Sequence, residues 1–191
     1  MKNNILGLFI LLNLVLWSCG QDYVPKPRGY FRIDFPEKKY VTYDTLCPFA
    51  FEYPAYAIIE RDNTPGAEPC FFNISFPAFN AKIHMSYKSG KEKIAGYIED
   101  SHNLVYKHTI KADAINEKLF IDSVRNVYSV LYEIKGDAAS SLQFYATDSL
   151  NHFIRGALYF NSIPNKDSLA PVIKFIEPDI QHIIETLQWK N

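Results

Sequence analysis

The period of apolar and polar positions changes several times along this chain. Ile5 to Trp17 is an almost unbroken apolar run behind Lys2. A helix that spans a bilayer needs about 20 apolar residues, so this shorter run fits the h-region of a secretory signal. Residues 22–49 carry Pro25, Pro27, Pro36 and Pro48, which rule out a helix and favour an extended path. Tyr23, Tyr30, Phe31, Phe35, Tyr40 and Tyr43 interleave with those prolines, whereas a free linker is rich in Ser and Gly. The pattern predicts an arm packed on its own domain or laid against a partner.

Beyond the arm the period falls to two. Phe49–Tyr53 alternates up to Pro54, and Ile58–Arg61, Cys70–Phe76 and Lys82–Tyr87 are short β-like runs separated by turn residues. From Lys91 the period lengthens: Ile94, Tyr97, Ile98, Leu104 and Val105 share one helical face. Thr109–Phe120 reads as one or two irregular strands. Val127–Lys135, Ser141–Thr147 and His152–Asn161 then form a meander whose linkers suit hairpin turns. Ile173, Ile176, Ile180, Ile183, Ile184 and Leu187 complete a closing helix, with Asp167 or Ser168 placed to cap it and Pro178 to kink it into two segments.

This order predicts an α+β domain, an antiparallel sheet covered by helices. It resembles the PsbP/Mog1-like α/β sandwich, in which a strand ending in Tyr-Pro opens the fold and a long helix closes it. Such a likeness concerns fold and carries no function of its own.

The end of the apolar run fixes the compartment. Leu16-Trp17-Ser18-Cys19 matches the pattern read by lipoprotein signal peptidase, which leaves Cys19 as the first mature residue. Acylation there ties the chain to a membrane, since two or more acyl chains anchor stably. The expected organisation is a signal peptide at 1–18, a lipid-anchored Pro/aromatic-rich arm at 19–48 and one α+β domain at 49–191. Of the three cysteines in the chain, Cys47 and Cys70 remain after Cys19. An even pair in an exported chain predicts a disulfide, contributing about 3 kcal/mol in the chain-entropy model; two free buried thiols are the alternative. With 20 basic against 21 acidic residues there is no basic footprint for nucleic acid.

Candidate chemistry is sparse. His84, His102, His108, His152 and His182 show no metal-ligand spacing. Ser140 and Ser141 do not sit in a G-x-S-x-G elbow, and the scattered glycines build no phosphate-cradling loop. The sequence predicts no catalytic residue, no metal and no cofactor. The densest polar cluster runs from Tyr106 to Asp113. Asp44-Thr45-Leu46, Asp122-Ser123-Val124, Asp148-Ser149-Leu150 and Asp167-Ser168-Leu169 resemble the O-glycosylation signal of exported Bacteroidetes proteins. That marks Thr45, Ser123, Ser149 and Ser168 as candidate sites, although Asp-Ser pairs are also ordinary turn and cap residues.

The stretch PKPRGYFRIDFP, followed by EPCFFNISFPAFNAKIHMSYK, YKHTIKADAI and GALYFN, resembles the gliding motility lipoprotein GldD family of Bacteroidetes. The resemblance implies a lipoprotein needed for surface gliding and linked to type IX secretion, and it brings no catalytic residues. A tethered, disulfide-stapled, aromatic-rich domain without a catalytic constellation is what a non-enzymatic assembly factor or scaffold among other envelope proteins would look like. The expected docking surface comprises Arg28, Tyr30 and Arg32 of the arm with Lys107, His108, Lys111 and Asp113. The alternative is a periplasmic module that binds a glycan or peptide on its aromatic sheet face. Gly20 after Cys19, with only Gln21-Asp22 behind it, points to the outer membrane, facing the periplasm.

Overall fold

The computed structural model describes residues 32–162 and 165–190. The signal segment, Cys19, Arg28 and Tyr30 lie outside these residues. The chain divides into a unit ending at Ile33 and a second from Asp34 to Asn191, and every element below belongs to the second.

Among the described residues, ten strands and two α-helices form an α+β sandwich. Three strands, β1 (Tyr40–Asp44), β2 (Phe49–Pro54) and β10 (Gln188–Trp189), make a small antiparallel sheet with β2 in the centre. The large sheet runs β3 (Ile58–Arg61), β4 (Phe72–Phe76), β5 (Ala81–Ser89), β9 (His152–Phe160), β8 (Ser140–Thr147), β7 (Val127–Gly136), β6 (Ala112–Asp122), antiparallel throughout. Helix α1 (Ile94–Tyr106) covers one face, where Tyr97 meets Phe153 and Val105 packs with Tyr132 and Ile134. The small sheet and α2 (Lys166–Thr186) fill the opposite face.

Strand alternation accounts for this layering. Phe72, Ile74 and Phe76 point from β4 into the interior, opposite Met85, Ile83 and Ala81 of β5. There Phe72 stacks against Tyr43 and Phe51 of the small sheet, with centroids 4.7 Å and 6.1 Å away. Gly156 lies in the same layer because the Phe144 ring occupies the place of a side chain; a Cβ would sit 2.2 Å from it. Cys47 and Cys70 are joined in a disulfide that ties the β1–β2 turn to the residues preceding β4.

The arm and the closing helix differ from the sequence expectations. Tyr40–Asp44, read as part of an arm ending at residue 48, is strand β1, because the stretch between Pro36 and Pro48 has every N–H that a ladder needs. Residues 107–110 form a 3₁₀ turn, and the irregular stretch after it is one long strand, β6, with a bulge between Ala112 and Ala114. Helix α2 is a single helix with Pro171 and Pro178 inside it, not two segments. A proline removes an intrahelical bond, at Pro178 the one to the Lys174 carbonyl; the Lys38 ammonium donates to the adjacent Phe175 carbonyl at 2.6 Å and ties that turn from outside. Buried Ile176, Ile180 and Ile183 hold the axis on both sides of the break. The cap is Asn165 instead of Asp167 or Ser168: its side chain accepts the Ser168 N–H at 3.1 Å.

The helix also carries a carboxylate into the core. Asp179 is fully buried. It accepts from the Lys38 ammonium at 2.6 Å, from the Tyr40 hydroxyl at 3.0 Å and from the Tyr56 hydroxyl. Lys38 lies 3.7 Å above the Phe175 ring, whose far neighbours are Phe35, stacked at 4.3 Å, and Phe79. Burial lowers the Lys38 ammonium from its ordinary 10.5, against the pull of Asp179. Burial, then the Asp179 charge, pushes the Tyr40 phenol up from 10.0 to about 12, and Tyr56 also rises.

Removing one partner of such a buried pair strands the others, so Asp179→Ala should cost about 3 kcal/mol in urea unfolding. The knot also predicts a pH dependence. Tyr40 keeps in the folded state a proton that the unfolded chain releases, so its contribution is intact below pH 10 and is lost as pH rises towards 12. Lys38 has the opposite sign, adding stability as pH rises towards 10.5, because the unfolded lysine holds its proton longer. Tyr40→Phe should therefore flatten the alkaline fall in stability measured by urea titrations between pH 9 and 12.

Candidate docking surface

The predicted cluster lies where α1 hands over to the edge of the large sheet. Lys107 and His108 occupy the 3₁₀ turn after α1, Lys111 follows it, and Asp113 sits at the bulge that opens β6. Lys107, His108, Ile110 and Lys111 surround a hollow of about 220 Å³ with Asp137 and Ala138. Ile110 is 92% exposed, an apolar side chain among cations. Burial, with Arg155 nearby, lowers the His108 imidazole below its usual 6.5, so it is neutral at pH 7. Asp113 faces away from this group and pairs with Lys166 at 2.6 Å, an exposed contact worth little. The structure thus gathers Lys107, His108 and Lys111, while Asp113 marks the boundary with the start of α2. Arg32 is exposed and belongs to the unit ending at Ile33.

Gly136 and Asp137 brace this end of the molecule. Gly136 has φ +110°, and a Cβ there would come 2.7 Å from the Lys111 carbonyl oxygen and 2.8 Å from the Asp113 nitrogen. Only glycine lets β7 approach the bulge so closely. The Asp137 carboxylate accepts the Lys166 N–H at 2.8 Å, one of the unpaired donors in the first turn of α2.

The four Asp-Ser/Thr sequences are exposed at their hydroxyl residues. Three sit at hairpin turns: β1–β2, β6–β7 and β8–β9. The Asp122 carboxylate accepts the N–H groups of Val124 and Arg125, and Asp148 those of Leu150, Asn151 and His152. Those two aspartates make the turns. Thr45 accepts the Cys47 N–H at 3.3 Å, and the fourth site, Ser168, lies in the first turn of α2.

The α1 face of the large sheet is only partly covered. Beyond the helix, Lys82 pairs with Glu60 at 2.6 Å and His84 bonds to Asn73 at 2.6 Å. These side chains and Tyr159 line a groove of about 570 Å³. Nearer the helix the Arg155 guanidinium donates to the Gln143 carbonyl at 2.5 Å. Sequence reasoning missed Arg155 and Gln143, as well as Lys38 and Asp179. Only Asp179 left a signal: it falls three residues after Ile176 and one before Ile180, an acid on the apolar stripe.

The family model described as gliding motility lipoprotein GldD matches residues 20–189. No curated protein matches the chain. Among solved structures, cyanobacterial PsbP (CyanoP) from Synechocystis sp. PCC 6803 is similar at 12% identity, covering 92% of this chain and 99% of that one, with a TM-score of 0.49.

Gly136→Ala should cost about 2 kcal/mol or more, from the forbidden φ and the backbone clash together. Gly96→Ala on α1, where a Cβ meets nothing within 4 Å, should instead stabilise by up to about 1 kcal/mol. Urea midpoints of the two variants measure the contrast directly.

Proposed function

Because the chain belongs to the gliding motility lipoprotein GldD family, we propose that it is a non-catalytic component of the gliding and type IX secretion apparatus. On this reading Cys19 carries the acyl chains and the domain lies at the periplasmic face of the outer membrane, assembling with other envelope subunits. The observation that carries the proposal is the extent of the family match, residues 20–189, which takes in the arm, the domain and the predicted docking cluster. Among the described residues no helix is long and apolar enough to cross a membrane. The Asp179 knot supports a scaffold role, since it fastens residues 35–40, next to the tethered arm, to the closing helix. Lys107, His108 and Lys111 of the domain and, taken separately, Arg28, Tyr30 and Arg32 of the arm are the proposed contact residues. Thr45, Ser123, Ser149 and Ser168 are the proposed O-glycosylation positions.

A second reading, a periplasmic glycan- or peptide-binding lipoprotein, has one observation in its favour: the groove between Glu60, Lys82, His84 and Tyr159. Small molecules co-purifying with the full chain would support it.

Single-cell displacement on a surface tests the first reading. A deletion strain should stop moving, with rescue by the wild type and none by Cys19→Ser or by Arg28→Glu with Tyr30→Ala at normal abundance. Normal movement of the deletion strain, in a parent that glides, would overturn the motility role.

A further inference from the structure

Strand β6 is the long free edge of the large sheet. It spans eleven residues, Ala112–Asp122, and among the described residues pairs only with β7; the opposite edge, β3, has four. A free edge presents a row of unpaired N–H and C=O groups, and native sheets usually blunt it with bulges, charges or a covering element. Here the bulge lies at one end, between Ala112 and Ala114. The other end is regular, and there Leu119 and Ile121 are 65% and 64% exposed. Opposite Val130 and Tyr128 in register, they form an apolar row on the α1 side of the edge. Lys118, Phe120 and Asp122 alternate with them on the other side, the Lys118 ammonium lying 5.5 Å from the Phe120 ring.

The spacing of charges along this edge selects its occupant. If a second β6 pairs antiparallel about a two-fold axis, residues equidistant from the axis stand opposite each other on one face. With the axis at Glu117 or Lys118, that residue meets its own copy, and like charges oppose. At Leu119, Glu117 faces Ile121 and Lys118 faces Phe120. Registers nearer the bulge set Asp113 or Glu117 against apolar or acidic partners. With the axis at Phe120, every pair is complementary: Phe120 faces Phe120, Leu119 faces Ile121 twice, and Lys118 faces Asp122 twice. Asp122 already binds Arg125 and the turn N–H groups, and those bonds hold its carboxyl low and ionised; a carboxylate retains room for a further donor.

We propose that β6 is a self-association edge, and that two copies of this chain join there, centred on Phe120, into one continuous sheet. Anchoring both copies on one membrane would raise their effective concentration and favour a contact of this modest length.

The test is disulfide trapping of the full-length lipoprotein in its native membrane, read on non-reducing gels. Phe120→Cys should give a band at twice the monomer mass, whereas Lys118→Cys, whose partner in this register is Asp122, should not. Dimer bands of equal strength from both variants, or from neither, would overturn the register. A Phe120→Cys band at another mass would show that a different chain occupies the edge, and would overturn self-pairing. Detergent-solubilised protein gives an independent readout that leaves Phe120 intact. Lys118→Glu should weaken self-association about tenfold, because two attractive pairs become repulsive. Adding Asp122→Lys should restore it; a monomeric wild type would contradict the proposal.

Discussion

A carboxylate placed on the buried stripe of a helix has to be met by donors, or the helix cannot dock. Asp179 imposes that constraint here. Its donors come from two places far away in the sequence, Lys38 before β1 with Tyr40 at its start, and Tyr56 after β2. Satisfying the carboxylate therefore draws the N-terminal segment, the small sheet and the closing helix into one arrangement. The aromatic rings around Lys38 reinforce it: Phe35 and Phe175 stack, and the ammonium lies over the Phe175 face. Cation–π contact of this kind is worth about 0.5–2 kcal/mol, more when water is excluded. A buried ionic network has a desolvation cost that a purely apolar contact avoids. It brings Lys38 and Tyr40, two residues apart, to one carboxylate.

The attachment makes residues 35–40 part of the folded body, fastened to its longest helix. The rest of the sandwich then determines which surfaces are available. Helix α1 covers only part of one face, leaving the groove beside Lys82 and Tyr159, and among the described residues the outer edge of β6 has no strand beside it. The polar cluster at Lys107–Lys111 leads directly into that edge. The groove lies towards the other end of the large sheet, separated from β6 by β8 and β7.

Much of the fold was legible because period and punctuation agreed. The strands at Ile58–Arg61, Val127–Gly136 and Ser140–Thr147 show alternation between turn residues, and α1 shows a single apolar face. The misses have physical reasons. Strand β1 looked like part of an arm because prolines on both sides dominate its composition, although Tyr40–Asp44 itself has none. Pro178 looked like a break because the donor that reaches the turn before it, Lys38, lies 137 residues away. Strand β10 is two residues long and exists only through pairing with β2. The docking cluster was legible as a run of polar residues. Arg155 and Gln143 were not, because single polar residues inside apolar strands reveal their pairing only when the sheet assembles. Asp113 was grouped with Lys111 by sequence proximity, but the bulge at Ala112/Ala114 and the pull of Lys166 turn it to the other side.

The central claim is that Asp179 holds the N-terminal segment in place. Amide hydrogen exchange on the full chain, wild type against Asp179→Asn, measures it most directly. The account predicts a large rise in exchange across residues 38–44, while β7 and β8, which supply none of the Asp179 donors, keep their protection. Unchanged protection in β1 would show that strand pairing with β2 suffices, and would contradict the role assigned to Asp179.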